Sequence, residues 1–132
     1  VDDEGKIGRG PTAFCLAKMD FVPSQKIVCE KYGAYFLPCD LNLKIGISKG
    51  FSPDTYPING LRHFPEQGTA GWYIWSGGVF SEDPSFFEPI HALHLIDRDP
   101  RIMKYLGLAA GWRFLFEPDY EDVWQDKNLL EA

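Results

Sequence analysis

Hydrophobic and polar positions change rhythm several times along this chain. Leu43, Ile45 and Ile47 alternate with Lys44, Gly46 and Ser48, the period of two expected of a half-buried strand. Gly71-Trp72-Tyr73-Ile74-Trp75 reads as a further strand ended by Gly77-Gly78, and Trp112–Phe116 as another. Pro118-Asp119 turns the chain toward Glu121–Trp124, which can pair beside that strand. Nearer the N-terminus, Phe14-Cys15-Leu16-Ala17 starts a short strand. Helical signals lie between these runs. Ser24 reads as the N-cap of a helix through Tyr32, with Ile27 and Val28 inward and Gly33 as its stop. Pro89 opens a short helix through Ile96, and Asp99-Pro100 caps a second one that Gly107 closes. The order predicts an α+β fold, a mostly antiparallel sheet with short helices packed on one face.

Residues 49–71 hold three prolines and four glycines and show no periodicity, so they read as a long ordered loop. The first eleven residues, polar with three glycines, read as a flexible N-terminal arm, and residues 12–132 as a single domain, a length that suits one core. Alternation puts Trp72 and Ile74 on one side of their strand and Tyr73 and Trp75 on the other. A strand aromatic on both sides needs a cover over its second face: the 49–71 loop, a helix or a partner. By the same alternation Trp112 and Phe114 are expected to be buried, with Arg113 projecting opposite.

Charge sharpens the picture. The net charge is −6, yet residues 1–80 carry eight acidic and eight basic side chains, so residues 81–132, with eleven and five, supply all of it. Such polarity disfavours nucleic acid, which is bound by Lys and Arg, and disfavours anionic membrane surfaces. It suits a basic protein partner. No apolar run approaches the ~18 residues of a membrane span. Cys15, Cys29 and Cys39 are odd in number, contain no Cys-x-x-Cys pair and stand among apolar residues, as buried, reduced thiols of a cytoplasmic protein would.

Candidate chemistry is sparse. His91, His94 and Asp97 recur every three residues and would share a face of a helix, a weak metal-ligand pattern set against packed Leu93, Leu95 and Ile96. Gly8-Arg9-Gly10-Pro11 lacks the Lys-Ser/Thr ending of a phosphate loop, and no nucleophile elbow is present.

The strings Gly111-Trp112-Arg113-Phe114 and Tyr120-Glu121-Asp122-Val123-Trp124 resemble a bacterial family, immunity protein 33 of polymorphic toxin systems, once known only as a domain of unknown function. The likeness continues through Gly71–Gly77, Phe86–His91 and Tyr105–Leu108, and covers roughly residues 70–130. One departure is Ala109-Ala110, where the family pattern has prolines. The resemblance implies a small cytoplasmic protein that binds a cognate toxin, without catalysis or cofactor.

For docking, the densest negative charge lies at residues 117–132, six acidic side chains against Lys127 alone. Asp119, Tyr120, Glu121, Asp122 and Asp126 are the expected partner-binding residues, and a basic toxin such as a nuclease is the partner they suit. Glu121 and Asp122 have a competing role, pairing with Arg113 across the adjacent strand. Two rival functions remain at this stage: a small-ligand or regulatory binding domain lined by aromatics of 72–75 and the 49–71 loop, and a metal-dependent enzyme using His91, His94 and Asp97.

Overall fold

A computed structural model describes residues 20–81 and 83–130. In chain order these form helix α1 (Val22–Tyr32), strands β1 (Lys44–Ser48), β2 (Ile58–Arg62), β3 (Thr69–Ser76) and β4 (Phe87–His91), helix α2 (Leu95–Arg98), and strands β5 (Trp112–Glu117) and β6 (Tyr120–Gln125). Short 3-10 segments run at Pro84–Phe86, Ala92–His94, Pro100–Tyr105 and Lys127–Leu130. The six strands make one sheet in the order β4-β1-β3-β2-β5-β6, and every neighbouring pair is antiparallel except β1 and β3. The α+β class is as the patterning predicts. The N-terminal arm, the strand expected at Phe14 and Cys15 lie outside the described residues.

One face of the sheet is buried under the helical segments. Ile45, Ile47, Ile58, Ala70, Trp72, Ile74, Phe114, Phe116 and Val123 meet Val28 and Cys29 of α1, Leu95 of α2, and Ile102, Met103, Tyr105 and Leu106 in a single core. At about 25 cal/mol per Å² of apolar surface, such burial is the dominant stabilising force. Rings of Tyr105, Phe114 and Phe116 stack within it, Tyr105 and Phe114 with centroids 4.5 Å apart. Gly60 of β2 makes room for this stack, because a Cβ there would collide with the Phe114 ring.

The core also holds a cation. Arg62, 1% exposed, donates to the carbonyl oxygens of Leu37, Pro38, Ala70, Leu106 and Leu108 at 2.7–3.2 Å. Its guanidinium also stands over the Trp72 ring, whose indole N–H donates to Leu106 O at 3.1 Å. Five carbonyl dipoles compensate the desolvated charge and tie the 37–38 and 106–108 turns to the end of β2.

Six sequence expectations need correction. The 49–71 segment contains β2, a central strand, and the start of β3; a strand reading Ile-Asn-Gly-Leu-Arg has neither strict alternation nor an apolar run, and prolines at 57 and 65 sit just outside it. Pro89 does not open a helix but lies in edge strand β4, where a missing N–H is tolerated. Ile27 is 65% exposed, while Gln25 is inward and donates to Met103 O at 3.0 Å. Helix α1 begins at Val22, two residues before Ser24, with the Asp20 carboxylate accepting from Val22 N. Gly33 does end it, at φ 75°. Asp99 caps the next segment by accepting from Arg101 N, but that segment is 3-10 rather than α-helical. Trp112 is half-buried where full burial was expected, whereas Phe114 is buried.

Candidate functional site

Among the described residues no helix covers the second face of the sheet. The register aligns two rows across it. One runs Trp124, Arg113, Leu61, Tyr73, Gly46, Pro89, and the next runs Asp122, Leu115, Asn59, Trp75. Leu61 and Trp75 are buried here although they take no part in the main core. Trp75 is covered by Phe80, from the loop after β3, at a centroid distance of 4.9 Å. Tyr73 contacts His63 and Phe87 edge-on at 5.6 and 5.2 Å, and Gly46 beneath it is required, since a Cβ there would come within 2.9 Å of the ring. Gly71, just before Trp72, adopts φ 90° and presses against the His63 carbonyl, which only a residue without Cβ allows.

A pocket of about 730 Å³ opens on this face, walled by Leu61, His63, Tyr73, Phe80, Phe87 and Arg113, with Asp83 and Leu129 at its margin. Two smaller hollows of about 240 and 320 Å³ also use Tyr73 as a wall. Arg113 stands over the rings of Trp75 and Trp124 and pairs with Asp126 at 3.3 Å, while its Nε–H is buried without an acceptor. Tyr73, Phe80 and Val79 are 38%, 45% and 75% exposed.

The acidic β5–β6 hairpin adjoins this face and divides its carboxylates. Asp119 and Tyr120 are exposed at the turn, and Asp122 is exposed on the open side of β6. Glu121 points the other way, toward the helical layer. It accepts from Tyr105 Oη at 2.5 Å, Tyr32 Oη at 2.6 Å and Lys31 Nζ at 3.1 Å, and Lys104 Nζ lies 3.4 Å away. Burial alone would raise its pKa, but the hydrogen bonds from the two tyrosines and Lys31, with the Lys104 charge, hold it down at about 2. Tyr105 is pushed up by burial and by the same bond. Glu121 thus anchors β6 to α1 and the Pro100–Tyr105 segment; the Arg113 pairing considered for it goes instead to Asp126. Asp126 also accepts from Asn128 N at 3.1 Å. Of the five expected docking residues, Asp119, Tyr120 and Asp122 are presented outward, while Glu121 and Asp126 have internal partners.

His91 ends strand β4, His94 ends the following 3-10 turn, and Asp97 lies in α2, so the three share no helix face. The two imidazoles are 5.9 Å apart, centroid to centroid, and among the described residues no group of three or more His, Cys, Asp or Glu converges. Cys29 and Cys39 are free thiols. Burial raises both, partly offset by the Arg62 charge, and takes Cys39 to about 11, so both are protonated and weakly nucleophilic at neutral pH. Among the described residues no helix is long and apolar enough to cross a membrane.

Pattern reasoning places Leu61 and His63 in the long 49–71 loop rather than at a central strand, and gives Phe80 no role. The first two are at the end of the unrecognised β2, and the only available signal for Phe80 was an apolar pair, Val79-Phe80, following two glycines. These surfaces present exposed rings, a hollow and outward carboxylates, a set suited to binding.

A model of the Imm33-like domain matches residues 24–126. No curated protein and no solved structure matches the chain.

Proposed function

The chain belongs to the Imm33-like family, and on that premise we propose that it is an immunity protein that protects its producer in the cytoplasm by binding a cognate protein toxin. The family match over 24–126 carries this reading. Neutralisation is by occupancy, without catalysis or cofactor, and neither nucleic acid nor membrane is a partner. The toxin is basic, with a nuclease as the favoured kind, because a nuclease must present positive charge to its substrate and the β5–β6 hairpin offers Asp119 and Asp122 to such a surface. Asp119, Tyr120 and Asp122 contact the partner; Glu121 and Asp126 hold the hairpin in shape while contributing to its negative field.

The test is direct: produce the chain together with the toxin domain encoded beside its gene. Growth should be restored and a stable complex should elute as one species. Continued toxicity at full expression, with no complex, would overturn the reading. A second reading, small-ligand binding, is favoured by the pocket of about 730 Å³, a size within the usual range for ligand sites. A metabolite that raises Tm by several degrees in the absence of any toxin would support it.

A further inference from the structure

The outer face of an antiparallel sheet is normally solvated and polar. Here the face away from the helices carries Tyr73 and Phe80, both partly exposed, in the wall of a hollow of about 730 Å³. The hairpin carboxylates lie on the same face, Glu117 on β5, which also supplies the pocket's Arg113, and Asp122 on the adjacent β6, and Asp83 is part of the pocket lining. We infer that this pocket is the anchor site of the toxin interface, and that its occupant is an aromatic or long aliphatic side chain projecting from a basic surface of the partner.

Three observations select that occupant. The walls at Leu61, Tyr73, Phe80 and Phe87 are apolar, so an apolar group gains most by entering. The one arginine in the wall has its charge paired with Asp126 and stands over two indole rings, and the Nε–H it leaves unpaired needs only a neutral acceptor, so it does not call for an anion. On the β5–β6 side the exposed charges of this face, Glu117 and Asp122, are negative, as is Asp83 in the pocket lining, while Lys44 and Lys49 stand on the β1 side, so the partner's cations belong toward the hairpin rather than in the anchor. An apolar centre within a charged rim is the arrangement in which a few central residues dominate affinity. The carboxylates then accelerate encounter and the pocket slows departure.

This inference rests on the toxin-binding reading, and the experiment separates the two. The full chain is compared with Tyr73→Ala/Phe80→Ser by surface binding kinetics against the neighbouring toxin domain, with circular dichroism as the check of fold. Ile27→Ser, on the exposed side of α1, is the control. The double variant should lose roughly 30-fold or more in Kd, mostly through faster dissociation, while the control stays within about twofold. Should the double variant fail to fold, Phe80→Lys takes its place, since it puts a repelling charge on a pocket-lining side chain that is already partly in water. A folded variant that binds within about threefold of the parent overturns the anchor while leaving the toxin reading intact. A parent chain that forms no complex removes both. Concentration-dependent dimers of the parent that the double variant abolishes would assign the face to a second copy, and a metabolite bound in the pocket without effect on toxin binding would assign it to a ligand; either overturns the inference.

Discussion

The two faces of this sheet are built from similar residues and use them differently. Toward the helices, Trp72, Ile74 and Phe114 are buried completely or nearly so, and Arg62 is enclosed by five carbonyl oxygens. Toward the other side, Tyr73 and Phe80 remain partly in water, and Arg113 stands over two indole rings with one N–H unpaired. A residue shift of one along the same strand separates the two conditions. Aromatic content alone therefore says little about role; the difference lies in whether a second layer closes over the rings. The closed face carries the core, and the open face leaves its rings without a second layer.

That contrast can be broken by substitution. Phe114→Ala, which empties the centre of the stacked trio, should cost about 3–5 kcal/mol of unfolding free energy by denaturant titration. Arg62→Met should cost about 2–3 kcal/mol, because several buried carbonyls lose their donor together. Glu121→Gln tests the tie between the hairpin and the helical layer. Its carboxyl is held near 2 against an ordinary 4.5, so its stabilisation is complete above pH 4.5 and disappears as the pH falls through 2. The substitution should remove on the order of 2 kcal/mol at pH 7, and its cost relative to the parent should shrink steadily between pH 4.5 and 2. On the open side, Val79→Lys should leave stability within about 0.5 kcal/mol. Asp119→Lys should be equally neutral for stability yet slow association with a basic toxin several-fold, most at low salt.

Much of the closed face is legible in the sequence. Strict alternation in Leu43–Ser48 and the aromatic runs at 72–75 and 112–116 locate three strands, and the Pro-Asp turn locates the hairpin. The resemblance to immunity proteins came from the same strings, which are scaffold: Phe114 and Val123 fill the core and Glu121 clamps it. What was hidden depends on long-range placement. Strand β2 is flanked by prolines, and its centre is a glycine whose need arises only from the Phe114 ring opposite. Gln25 displaces Ile27 from the inner side of α1 because a carbonyl at Met103, remote in sequence, accepts its amide. The pocket needs His63 and Leu61 beside Tyr73, an adjacency that exists only once β2 lies between β3 and β5. Charge density marks the hairpin carboxylates as docking candidates, but density cannot say which way alternate residues of β6 point.

The division of labour between the two faces is tested most directly by hydrogen–deuterium exchange on the chain alone and in complex with the neighbouring toxin domain. The 77–83 loop and the β5–β6 turn at 117–120 should exchange more slowly in the complex, while amides of α1 and of the Pro100–Tyr105 segment keep their free-state rates. Protection confined to α1 and that helical segment, with the 77–83 loop unchanged, would contradict the account.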